Sequence, residues 1–254
     1  LGLIDVTIVG HLGSPAYIGA IAVGGMLFNI IYWIFGFLRM GTSGMTSQAY
    51  GQHDLNEINR LLIRSVGVGL FIALCLLILQ YPILNAAFTL IQTTEEVKQL
   101  ATTYFYICIW GAPAMLGLYG FAGWFIGMQN SRFPMYIAIT QNIVNIIASL
   151  SFVYLLDMKV AGVAAGTLIA QYAGFFMAIL LYMRYYSTLR KRIVWKDIIQ
   201  KQAMYRFFRV NRDIFFRTLC LVIVTMFFTS AGAAQGEVVL AVNTCLLYTS
   251  PSPR

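Results

Sequence analysis

Seven side chains stand where chemistry could be done. Asp5 interrupts the apolar run LIDVTIVGHL at residues 3–12. A carboxylate at membrane depth is costly unless it faces a polar cavity or a partner, so Asp5 marks a functional site. The alternative is that it lies near the aqueous end of a short first helix and meets water. Asn142, Asn145 and Ser149 follow one another at helical spacing, which puts all three on one face. Thr167 and Gln171 are one turn apart. Several amides in an apolar helix need partners, and with Asp5 they predict a polar cavity; bonding across to neighbouring helices is the plainer reading of the same stripe. Arg39, in FGFLRMGTSG, is a second charge, about two to three turns from the helix end near Ala49 at ~1.5 Å per residue. It either snorkels to the interface or pairs with an acid, and Asp5 is one candidate partner.

An enzyme active site is the option these residues support least. His11 and His53 are single and fall near opposite membrane faces. Cys75, Cys108, Cys220 and Cys245 are dispersed, without a CxxC, and read as small buried apolar residues with no metal or redox role. A membrane-embedded enzyme needs converging nucleophile, base or metal ligands, and neither HExxH nor a paired-acid motif is present. No residue is assigned to catalysis or to a metal, and no cofactor is expected.

The elements that must position the seven are apolar helices. Of the 254 residues 59% are hydrophobic and 10% charged, with mean hydropathy +0.76. A soluble domain carries about a quarter charged residues, so the composition gives an all-α, polytopic membrane helical bundle. A span needs about 20 mostly apolar residues. The first, 1–13, is shorter than that and lacks a starting Met, and reads as a helix cut short before the Gly-Ser-Pro turn. The second covers 18–49, the polar segment 51–64 follows, and the third covers 65–90. Thr93-Thr94-Glu95-Glu96 reads as an N-cap with acids in the first turn. It opens a fourth span ending near Met128. Pro134 opens the fifth, which ends near Leu156, and the sixth ends near Tyr186. A basic connector, 184–212, leads to a seventh helix over 214–234. The text CLLYTSPSPR at 245–254 has no helical periodicity and is read as a non-native tail. The division expected is therefore a six-helix bundle at 1–186, a connector at 187–212, a further helix within 213–244, and the tail.

The net charge of +8 follows the membrane and not a nucleic acid. If the connectors after spans two, four and six are cytoplasmic, they hold Arg60, Arg64, Arg132 and the basic run from Arg184 to Arg217. The opposite side holds only Lys98 and Lys159. This asymmetry is a positive-inside signature that places the start of the chain in the cytoplasm. Trp195, Ile198, Ile199, Phe207 and Phe208 alternate with basic residues in the connector. That pattern fits an amphipathic helix on the anionic leaflet as well as it fits a solvated linker. Gly162, Gly166, Ala170 and Gly174 recur every four residues, a seam for close helix approach. Pro113 with Gly117, Gly120, Gly123 and Gly127 suits a kinked helix that could bend, though ordinary packing accounts for the glycines.

The runs IDVTIVGHLG, GTSGMTSQAYGQHD, GMQNSRFPMYI and NIVNI…VAGVAAGTLIAQ resemble the MATE multidrug-and-toxin-extrusion transporters. FLRMGTSGMTSQA with VNRDIFFRTLCL is similar to the DNA-damage-inducible F branch of that family. The likeness runs in order from Leu1 to about Thr244. It implies the N-lobe of a twelve-helix transporter plus the start of the second lobe, with the C-terminal lobe as missing partner. It implies cation-coupled export of small amphipathic or cationic compounds across a bacterial cytoplasmic membrane. The family builds its N-lobe coupling site around a carboxylate on the first helix, here Asp5. An Asn and, four residues later, an Asp on the fifth match Asn145 and Ser149, and a Thr on the sixth matches Thr167. Asn142, Gln171 and Arg39 are then expected to line the substrate cavity. Ser149 departs from the pattern. With one carboxylate the site offers less negative charge to a hard cation, so proton coupling through Asp5 is expected ahead of sodium. A flippase for a lipid-linked precursor is the alternative, but a large anionic substrate calls for several basic residues and Arg39 is the one clear candidate. A membrane-embedded enzyme is the least supported.

Overall fold

A computed structural model describes residues 5, 8–10, 15–91, 93–187 and 200–234, with side chains in the last stretch to residue 224. Asp5 and residues 8–10 are helical. After them come α1 (Pro15–Ile34), α2 (Gly36–Gly51), α3 (Leu55–Ile78), α4 (Gln80–Leu90) and α5 (Glu95–Cys108). A 3-10 turn (Ile109–Gly111) joins α5 to α6 (Ala112–Gly127). Next are α7 (Arg132–Leu150), a π turn (Ser151–Leu155), α8 (Lys159–Tyr185) and α9 (Lys201–Ala234). Among the described residues five stretches are long and apolar enough to cross a membrane: Pro15–Gly51, Leu55–Ile78, Glu95–Gly127, Arg132–Leu155 and Lys159–Tyr185. The chain divides into two compact units after Phe207, and α1–α8 belong to the first.

The glycines of α6 make it the hub of that unit. A Cβ at Gly120 would stand 3.0 Å from Ser65 Oγ on α3, and one at Gly127 would stand 2.8 Å from the Ser43 carbonyl of α2. One at Gly123 would overlap the Arg39 carbonyl, and one at Gly117 the Phe175 ring of α8. With no side chain there, backbones approach closely and dispersion contacts accumulate. Bonds across the seams satisfy some of the polar groups left inside. Thr42 and Ser65 share a hydroxyl hydrogen at 2.6 Å, and Trp124 Nε1 donates to the Ile58 carbonyl at 2.9 Å. The second half of α1 packs on α5 through stacked rings, Phe28 on Phe105 at 5.1 Å. The glycine row of α6 is therefore packing, and the interruption of that span falls ahead of it, at residues 109–111.

Several boundaries differ from expectation. The third span begins at Leu55 and not near Ser65, because Asp54 caps it, accepting from the amides of Asn56 at 3.1 Å and Glu57 at 3.0 Å. Hydropathy marks where a helix enters lipid and not where it starts. Within this polar first part Arg64 is buried and paired with Glu57 at 2.8 Å. The last helix begins at Lys201, so the end of the basic connector is helical. Its residues Trp195, Ile198 and Ile199, like His11 and Cys245, lie outside the described residues. Cys108 is buried, Cys75 is half-buried, and Cys220 is exposed on α9, contrary to the reading of all the cysteines as buried. A thiol on a lipid-compatible face needs no cover. His53 is exposed and holds the left-handed turn between α2 and α3, with φ 54°.

Candidate functional site

Asn145 and Ser149 lie one turn apart on α7, and both are fully buried. They face α8 because the seam there is small. A Cβ at Gly166 would overlap Ser149 Oγ and stand 2.7 Å from its backbone nitrogen. No other residue fits at 166 without pushing α7 away. The next positions of the seam behave alike: Gly162 abuts Phe152 and Gly174 abuts Gln141. Close approach brings Thr167, on the same turn as Gly166, against Asn145.

Asp5 completes the cluster at 1% exposure. Asn145 Nδ2 donates to Asp5 Oδ1 at 3.3 Å and to Thr167 Oγ1 at 3.0 Å. Thr167 Oγ1 donates to Asp5 Oδ2 at 3.1 Å. Ser149 Oγ lies 3.5 Å from Asn145 Nδ2. An amide nitrogen has two hydrogens, so this longest contact is the weakest of its three. Asn145 Oδ1 is buried with no hydrogen-bond partner. Among the described residues no lysine or arginine pairs with Asp5. The group is a carboxyl held by neutral donors, with a spare amide oxygen and two hydroxyls beside it. Such a set can take a proton on the carboxyl. Asp5, Thr167, Ser149 and, if its amide turns over, Asn145 Oδ1 could also ligate a small hard cation.

The other expected residues are placed differently. Gln171 is buried one turn beyond Thr167, its side-chain oxygen against Gly111 in the 3-10 turn. Asn142 is half-buried and donates to the Ala138 carbonyl of its own helix at 2.8 Å, and is not bonded into the cluster. Arg39 is exposed on α2 and does not pair with Asp5, whose two oxygens are held by Asn145 and Thr167. Tyr104 and Cys108 of α5 interact electrostatically with Asp5, which sequence reading missed. An aromatic or a thiol in an apolar helix has the same appearance whether it packs against lipid, core or site.

The MatE family model matches residues 1–151, which include Asp5, Asn145 and Ser149. Over 256 residues the chain is 34% identical to DNA damage-inducible protein F of Escherichia coli (strain K12), covering 97% of this chain and 54% of that protein. It is 28% identical over 188 residues to multidrug and toxin extrusion protein 1 of Danio rerio, covering 72% of this chain and 30% of that one. A crystal structure of MATE in the bent conformation has the same fold, with TM-score 0.81 at 20% identity over 97% of this chain and 55% of that one. The chain spans about half the length of the Escherichia coli relative or less of the others it matches.

Proposed function

This chain belongs to the MatE family, whose members are transporters and not enzymes, and we propose that it forms one lobe of a cation-coupled antiporter exporting small amphipathic or cationic compounds. The coupling ion in this reading is the proton, with sodium the weaker fit. A second lobe supplies the facing wall of the cavity, the bilayer surrounds both, and nucleic acid has no part. The charge asymmetry supports a cytoplasmic membrane with the start of the chain inside.

One observation carries the proposal. Asp5 is withdrawn from solvent, with each oxygen bonded to a neutral donor and no described basic side chain paired to it. A carboxylate held this way gains by taking up a proton or a cation, since no counter-charge among the described residues offsets its burial. Ser149 supports the proton. It places a neutral hydroxyl where a second carboxylate would serve sodium better. The amide of Asn145 presents its nitrogen to the ionised carboxyl, and its free Oδ1 would accept from a carboxylic O–H if it turned over. Neutral and ionised Asp5 thus favour different arrangements of α7 and α8, and exchange of proton for substrate can shift the lobe between them. The flippase alternative needs several basic side chains on one wall; Arg64 is tied to Glu57, and Arg39 stands exposed.

Full-length protein in proteoliposomes tests the assignment. An imposed proton gradient should drive efflux of a cationic dye, and Asp5→Asn should abolish the response. Efflux at normal rates in that variant would overturn the coupling role.

A further inference from the structure

Among the buried oxygens left without partners, two outside the Asp5 cluster lie on α1 and α8. The Tyr32 hydroxyl, on α1, belongs to a residue 8% exposed, and the Gln171 side-chain oxygen, on α8, to one 6% exposed. Both belong to the neighbourhood of residues 108–111, where the span is interrupted. Gln171 Oε1 lies against Gly111, and a Cβ there would overlap it. Tyr32 belongs to the same buried cluster as Cys108, Ile109 and Ala112, and Tyr172 donates to the Trp110 carbonyl at 2.9 Å. A hydroxyl can donate and an amide oxygen can accept, yet these two do not bond to each other. A buried polar group without a partner is unfavourable, so leaving both dry works against the fold. A water molecule held by several polar partners is the usual remedy for such groups.

The place is close to the coupling carboxyl. Gln171 follows Thr167 by one turn, roughly 6 Å along α8 at ~1.5 Å per residue. Cys108 donates to the Ala164 carbonyl at 3.7 Å, one turn before Thr167, and itself interacts electrostatically with Asp5. The interrupted span, Tyr32 and Gln171 thus gather beside the Asp5 cluster without sharing its ligands.

We propose that Tyr32 and Gln171, beside the 3-10 turn Ile109–Gly111, form a water-binding site, and that water held there is the donor from which Asp5 is protonated. The second half rests on the proton-coupled reading above. A hydronium formed at the site gives its proton to a carboxylate oxygen of Asp5 and is left as water, and the reverse step returns the proton.

X-ray hydroxyl-radical footprinting of the full-length protein in nanodiscs, read by mass spectrometry, tests the site without any transport. Radicals born on an ordered water label the side chains beside it. Tyr32 and Cys108 should be labelled well above Phe105, a fully buried ring on the same helix as Cys108. Gln171→Leu should remove the labelling of Cys108 and Tyr32, and Tyr32→Phe, which deletes one oxygen, should remove that of Cys108. Labelling in the wild type no faster than at Phe105 overturns the site. In proteoliposomes both variants should slow proton exchange and leave the proton-to-substrate ratio unchanged. An unchanged rate overturns the donor role. Labelling that persists while Asp5→Asn still transports normally upholds the water site and sinks the coupling reading instead.

Discussion

Thr167 donates its hydroxyl hydrogen to Oδ2 of Asp5 across 3.1 Å while accepting one from Asn145 at 3.0 Å. The two residues are 162 positions apart, and their contact joins the first helix to α8 with Asn145 of α7 as the third corner. A hydroxyl placed this way links the carboxyl to the amide.

Replacing Thr167 by Val removes the donor and keeps the shape. A hydrogen bond to a charged group is worth about 1.5–3 kcal/mol, so coupled efflux should fall roughly tenfold or more. Thr167→Ser, which retains the hydroxyl, should recover most of it. Equal rates in the Val variant and the wild type would show that the bond plays no part.

Gly166→Ala drives a methyl into Ser149, and separating α7 from α8 should destabilise the bundle by about 1–3 kcal/mol. Thermal unfolding in detergent would register this as a lower Tm. Gly25→Ala is the control, since nothing lies within 4 Å of a Cβ there. A lower Tm for both variants alike would point to helix effects in general and away from the seam.

Ser149→Asp supplies a second carboxylate beside Asp5. Two carboxylates attract a hard cation more strongly than one, so efflux should become dependent on sodium. Sodium protection in thermal unfolding provides an independent measure. A folded variant indifferent to sodium in both assays would remove the role given to Ser149 in ion choice.

Topology can be read with single cysteines. His53→Cys, at the exposed turn after α2, should react with an impermeant maleimide only from the cytoplasmic side. Glu96→Cys, at the exposed start of α5, should react only from the opposite side. The reverse pattern would invert the orientation inferred from the charges.

The two ends of the helical runs show how far reading along the chain goes. The sixth and fourth expected spans, which end in α8 and α6, stop near Tyr186 and Met128 as their sequence indicates. The start of α3 was hidden because a polar helix outside lipid looks like a loop to a hydropathy scale, and only the Asp54 cap gives it away. Breaks at Phe35, Leu79 and residues 109–111 were also hidden, since apolar runs continue through them.

What the sequence by itself determined is the set of membrane spans, the charge asymmetry across them, and the helix faces that carry polar groups. These are local quantities, set by hydropathy and by the 3.6-residue repeat. Only the tertiary structure decided which polar groups meet. Asn142 and Asn145 share a face, yet Asn142 turns back to Ala138 while Asn145 reaches Asp5. The choice depends on how far each helix is rotated and how closely it can approach its neighbour, and Gly166 sets that distance where α7 meets α8. Arg39, for which Asp5 was one candidate partner, stands exposed on α2 while Asn145 and Thr167 hold both oxygens of Asp5.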